Sequence, residues 1–231
     1  MNSTDMIIIH DHAVILDAMT HSNVQLVGTV LQAEVAPAML IRNRRKFHIR
    51  SYVVVVERTD DEVLDMLVYG RHEVRVAGVS VAESEGQDRN PLSHITNGAL
   101  SKASERLLLT ELPELVSLGL PEKLELFISE VFGKHLLSDI SRRIPPPGAH
   151  SSPVREFAVA GLDIMVTEQL DLYLLEVNVN PSAPPAEMCS EAYTSHLRDF
   201  FRDLVNLVTL GVSAAGDFRD VFAILERHAT E

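Results

Sequence analysis

Asp163, Glu176 and Asn178 are three oxygen-bearing side chains set on two otherwise apolar runs, Phe157 to Val166 and Leu172 to Asn180. Residues two apart on a strand point to the same face, so Glu176 and Asn178 project together. The polar stretch Thr167 to Asp171 reads as a short turn, which makes the two runs an antiparallel hairpin able to bring Asp163 beside them. Two carboxylates and an amide oxygen suit a hard cation such as Mg²⁺, which completes its shell with water and phosphate oxygens. A Glu at the end of an apolar strand is often no more than a solvated residue. Burying such groups unpaired costs about 2 kcal/mol or more each, so three together on an apolar hairpin are expected to face an ion, a ligand or a cleft.

A second cluster has the opposite sign. Arg42, Arg44, Arg45, Lys46 and Arg50 place five of the chain's 20 basic residues within nine positions. Such a run can be a solvated loop, and Arg42 to Arg45 fit that description. Lys46, His48 and Arg50 alternate with Phe47 and Ile49, and the run continues into Tyr52-Val-Val-Val-Val56. This is a strand with one polar face, and it could attract anions such as phosphates or an acidic peptide.

Several classes of function are disfavoured by composition. The net charge of −13 argues against a general nucleic-acid or anionic-membrane binder. The single cysteine, Cys189, rules out an internal disulfide and a Cys-based zinc site, and fits a reducing compartment. No apolar run reaches the ~20 residues of a membrane span, and the N-terminus lacks the basic start of a secretory signal. A soluble cytoplasmic protein is expected.

The elements that must carry these residues read as α+β. Ile7 to Met19 suggests a short strand and then a helix from about Asp11, and Val24 to Val35 a strand with a hinge closed by Pro37. Lys46 to Glu57 is expected as a long strand, Thr59 to Glu62 as a hairpin turn, and Val63 to Val79 as one or two further strands. Val81 to Pro91 reads as loop, and Leu100 to Leu109 as helix. Glu122 to Ser141 is also expected as helix, with Leu124, Phe127, Ile128, Val131 and Phe132 as its stripe. The prolines from Pro145 to Pro153 mark a surface loop. Glu187 to Leu210 reads as an amphipathic helix with Leu197, Phe200, Phe201, Leu204, Leu207 and Val208 inward. Phe218, Val221, Phe222 and Leu225 mark a last short helix.

Four segments, in this order, resemble the tubulin–tyrosine ligase-like branch of the ATP-grasp fold. They are Val30 to Val35 before an apolar run, Arg45-Lys-Phe-His-Ile-Arg50 opening a long strand, His94-Ile-Thr-Asn97, and Ala160-Gly-Leu-Asp163 paired with Leu174-Leu-Glu-Val-Asn178 and Pro181. The resemblance runs from about Val24 to Leu210. It implies an ATP-grasp-like fold with a mixed, mainly antiparallel sheet flanked by helices and the N-terminal part of the fold missing. Residues 1–35 would be a remnant of the central subdomain and hinge, and residues 36–231 the C-terminal subdomain. It also implies ATP and Mg²⁺ as cofactors, with Asp163, Glu176 and Asn178 as metal ligands and Lys46 on a phosphate. Gln32, Ala33 and Val35 would line the adenine hinge. Arg50, Thr96 and Asn97 would face the acyl phosphate and the amino-acid substrate.

The activity so implied is a protein–amino acid ligase that forms an amide through an acyl phosphate. Its partners would be tubulin or another acidic protein tail and a free amino acid, with neither nucleic acid nor membrane, in the cytoplasm and on microtubules. Alternatives are a truncated, non-catalytic nucleotide- or tubulin-binding relative, and an ATP-grasp ligase for small peptides, against which the His-Ile-Thr-Asn segment argues. The chain departs from the family pattern in places. His48 stands where Asp is frequent, and Ala33 and Glu34 stand where the hinge usually carries Lys and an aromatic residue. A further family arginine is expected in the next strand, where Arg71 and Arg75 compete. Residues 1 to 30 hold no Gly-rich phosphate loop, which suggests a fragment, a misplaced start or a degraded relative. His94 and Cys189 read as structural, and Thr96-Asn97 can equally be a turn with a helix cap.

Overall fold

The computed structural model describes residues 34–58, 64–84, 91–93, 104–136, 154–181, 190–210 and 216–230. Its centre is the strand β2 (Arg45–Arg58), and the unbroken β-branched run Val53 to Val56 is why so long a segment stays extended. Along one edge β2 pairs with β4 (Glu73–Val76) and then with β3 (Leu64–Tyr69). Along the other edge it pairs with β6 (Val154–Val166), which in turn pairs with β7 (Leu172–Val179). Three short strands complete the sheet: β1 (Leu40–Ile41) on β2, β5 (Glu105–Leu108) on β4, and β8 (Phe218–Asp220) on β3. Every pairing among the described residues is antiparallel. The fold is α+β with helices on both faces of the sheet.

Alternation along β2 sends successive residues to opposite sides. Phe47, Ile49 and Val53 enter a core shared with α1 (Leu120–Ser129) and α3 (Val221–Ala229), through Leu120, Leu124, Ile128, Val221 and Ile224. Tyr52, Val54 and Val56 face α2 (Glu191–Leu210) and pack on Phe200, Leu204 and Leu207. Each such side chain contributes about 1.5–3 kcal/mol when fully buried, so the apolar length of β2 anchors its polar length. The helices start where their caps dictate. Ser190 Oγ accepts from Tyr193 N (3.1 Å) before α2, and the Asp220 carboxylate accepts from Phe222 N and Ala223 N at the start of α3. No helix among the described residues is long and apolar enough to cross a membrane.

The long strand, the two strands after it, the hairpin and the last two helices appear close to where periodicity puts them. Four expectations are corrected. Val81 to Ser84 form one turn of helix and not the start of a loop. Glu105 to Leu108 do not belong to a helix: they form the strand β5, followed by a 3₁₀ turn at Leu109–Glu111. A short apolar run fits either period, and pairing with β4 decides it. Phe218 lies in β8, before α3 rather than within it. Phe201 is 50% exposed, because the inward face of α2 runs through Tyr193, His196, Phe200, Leu204 and Leu207. The readings of residues 1–33, of the 59–62 turn and of the proline-rich loop lie outside the described residues.

His72, just before β4, makes stability depend on pH. Its ring is buried, with Nδ1 2.8 Å from Ser51 Oγ. Burial, reinforced by the Arg219 charge, pushes it down from 6.5 to about 3. The folded ring therefore stays neutral at pH values where the unfolded chain binds a proton. Its contribution is complete above pH 6.5 and is lost as pH falls toward 3, by at most about 1.4 kcal/mol per pH unit. Urea unfolding of the protein and of His72→Gln between pH 7 and pH 4 is expected to show the variant losing stability less steeply, by about one proton. Parallel pH profiles would refute this.

Candidate functional site

The site is one face of the sheet at the polar end of β2. Lys46, His48 and Arg50 project together from β2, and the ladders set Arg50 beside Asp163 of β6 on one side and Glu73 of β4 on the other. The next ladder sets Asp163 beside Glu176 and Gly161 beside Asn178. Lys46, Arg50, Asp163, Glu176 and Asn178 therefore share one surface.

Arg50 and Asp163 form a two-pronged ion pair, Nε to Oδ1 at 2.5 Å and Nη2 to Oδ2 at 2.7 Å, with both side chains only 7% exposed. His48 Nε2 lies 3.3 Å from Asp163 Oδ1. Burial alone would raise the Asp163 carboxyl, but the hydrogen bonds and charges of Arg50 and His48 outweigh it and hold the group well below the usual carboxylate range. Asn178 Nδ2 donates to Glu176 Oε1 at 2.9 Å and to Asp163 Oδ2 at 3.4 Å. Gly161 makes this crowding possible. A Cβ there would lie 3.0 Å from Arg50 Nη1 and 3.1 Å from both Arg50 Cδ and Pro181 Cβ. At the outer end of the row, Lys46 Nζ is paired with the carboxylate of Glu34, in the segment leading into β1.

The hairpin contains a device that alternation alone misses. Between Asp163 and Ile164 the register shifts, and Leu175 is an extra residue with no partner in the ladder. Leu174 pairs with Ile164 and Glu176 with Asp163, so the bulge moves Glu176 from the core side to the polar side. The signal is present in the sequence. The apolar phase runs on even positions through Leu172 and Leu174, then on odd positions through Val177 and Val179.

Beside the row lies a buried anion that belongs to none of the motifs. Glu73 is fully buried and accepts from Tyr52 Oη (2.9 Å) and Tyr193 Oη (2.5 Å), with His196 Nε2 and Arg75 Nη2 each 3.5 Å away. Burial would raise its carboxyl, but His196, Arg75 and Tyr193 together lower it. The alternation Glu73-Val-Arg75-Val is the same cue that marked β2. It also separates the two competing arginines. Arg75 stands beside His48 in the ladder, whereas Arg71 lies outside the strand, paired with Asp199 and Asp217. Part of the basic strip is used internally, since Arg42 and Arg45 pair with Glu105. Val35 is half-buried before β1; Gln32, Ala33, Thr96 and Asn97 lie outside the described residues.

The donor set at the hairpin fits Mg²⁺. Among the described residues no three or more His, Cys, Asp or Glu side chains gather as an all-protein cage. Two carboxylates and an amide on one surface leave the rest of an octahedral shell to water and phosphate oxygens, which is how Mg²⁺ is ordinarily held. The neighbouring cations suit those phosphates. A family model described as the tubulin-tyrosine ligase family matches residues 3–215. The match takes in both arms of this surface and most of the sequence, and the chain belongs to that family, whose members are ligase-type, ATP-dependent enzymes acting on proteins.

Proposed function

We propose that this chain is an ATP- and Mg²⁺-dependent protein–amino acid ligase, with tubulin or another acidic protein tail and a free amino acid as its substrates. The observation that carries the reading is the single polar row of Lys46, His48 and Arg50 set against Asp163, Glu176 and Asn178. Magnesium-bound ATP would supply the γ-phosphoryl group that activates a carboxylate. The carboxylate oxygen would take that group and release ADP, and an amine would then displace phosphate from the acyl phosphate, losing a proton as the amide forms. Lys46 and Arg50 hold negative oxygens where charge moves. Asp163, Glu176 and Asn178 fix the cation, and Val35 belongs to the segment that would line the adenine site with Gln32 and Ala33. Thr96 and Asn97 are assigned to the acyl-phosphate and amino-acid side. On this reading residues 36–231 form the C-terminal subdomain and residues 1–35 the hinge side, acting in the cytoplasm and on microtubules.

The test is incorporation of labelled amino acids into tubulin or an acidic tail peptide, with ADP released in step. Glu176→Gln keeps the size of the side chain and removes one anionic ligand. It is expected to lower turnover about 100-fold and to weaken Mg-ATP binding. Unchanged affinity and turnover in this variant would refute the metal assignment. A second reading, a nucleotide- or tubulin-binding relative without turnover, has its own support, because both cations of the row already carry internal carboxylate partners. Binding of Mg-ATP without incorporation would select it.

A further inference from the structure

The two cations that would meet phosphate oxygens are tied down in different ways. Arg50 and Asp163 are ladder neighbours, joined by two hydrogen bonds and both nearly buried. Strand pairing holds them together. Lys46 is also nearly buried, with its side chain 11% exposed, but its carboxylate comes from Glu34, which is 52% exposed and belongs to no strand. The Glu34 segment reaches the site by running along the end of the hairpin: Pro37 O accepts from Glu168 N, and Met39 N donates to Val166 O. A solvent-facing anion thus covers an inward-facing ammonium.

We propose that Glu34 is an affinity-setting residue, a built-in competitor that holds Lys46 until a phosphate displaces it. This deepens the nucleotide reading above and rests on it. The chemistry favours displacement at this point of the row. A polyphosphate brings several negative oxygens against one carboxylate. Breaking a half-exposed ion pair costs little, whereas Asp163 stripped of Arg50 would be a buried charge without compensation.

The experiment is titration calorimetry with Mg-ATP on the full chain, on Glu34→Gln, on Lys46→Met, on the double variant and on Glu114→Gln. Glu114 is exposed on the Pro113–Val116 turn of helix, whose Leu115 packs into the core on the other face of the sheet. It removes the same single charge far from the row. Glu34→Gln is expected to bind about three- to tenfold more tightly, the range between a surface ion pair and a charge-assisted hydrogen bond. The gain should vanish in the Lys46→Met background and be absent in Glu114→Gln. Equal or weaker binding by Glu34→Gln, or an equal gain in Glu114→Gln, overturns the inference and leaves the nucleotide reading standing. If no form binds Mg-ATP, the nucleotide reading fails, and the acetylation rate of Lys46, followed by mass spectrometry, decides on Glu34 alone. Faster labelling in Glu34→Gln supports the block, and equal labelling overturns it.

Discussion

Arg50→Met is expected to destabilise the folded chain by about 3–5 kcal/mol, the cost of breaking a buried ion pair from one side. The carboxylate of Asp163 would keep its place on β6 with His48 at 3.3 Å and Asn178 at 3.4 Å, but without the two short bonds that now compensate it. Methionine fills much of the same volume, so the loss reads the charge and not a cavity. The double variant Arg50→Met with Asp163→Asn removes both partners and should recover most of the stability. Urea unfolding of the four forms measures this directly. A single-variant loss below about 1 kcal/mol, or no recovery in the pair, would show that the ion pair is not what holds this part of the sheet. The same series has a pH signature. Asp163 is held well below the ordinary carboxylate range, so its contribution is complete above the unfolded value near 4 and is lost as pH falls toward the folded one. Arg50→Met removes most of that acid-side loss.

Glu73→Leu is the second large expectation. It takes the acceptor from Tyr52 Oη and Tyr193 Oη and leaves Arg75 beside an apolar side chain. Two buried phenols without partners and an uncompensated guanidinium together cost about 4 kcal/mol. The effect should be uneven across the molecule. Tyr193 and His196 belong to α2, so Glu73 is a polar tie between that helix and the sheet, together with the bond from Tyr69 of β3 to Asp203. Amide exchange along α2 should accelerate more than exchange in α1 or α3. Glu73→Gln, which keeps an acceptor oxygen, is expected to lose about 1–2 kcal/mol and to leave the exchange pattern of α2 near the parent. Uniform acceleration across all three helices in Glu73→Leu would mean a general loss of stability and not release of α2.

The row and the hairpin were legible because strand alternation is a strict rule. Lys46, His48 and Arg50 had to share a face, as did Glu176 and Asn178, and a five-residue turn had to bring Asp163 into reach. What could not be read is who answers whom. Glu34 and Lys46 are 12 residues apart, and Arg50 and Asp163 are 113 apart. Nothing local encodes those partnerships. Glu73 illustrates a different obstacle: its alternation with Val74 and Val76 was visible, but only the arrival of Tyr193 from α2 makes it an anchor. β5 was misread because the three leucines Leu107 to Leu109 have no period of their own, and its partner β4 lies some thirty residues earlier.

The unpaired Leu175 has a consequence for heredity rather than for chemistry. Exchanging one residue type for another at that position leaves the register alone. Losing that one codon would let the ladder close with Glu176 still opposite Asp163, so the polar face survives the deletion. Keeping Leu175 but pairing it with Asp163 in a regular ladder is what would ruin the face: Glu176 would stand opposite Leu162 and turn toward the core, while the valines took the polar side. The break in register is therefore a second message written over the residue identities. A descendant with every residue of the triplet and its neighbour in place, but with the bulge ironed out, would preserve the motif in every alignment and lose the surface that the motif builds.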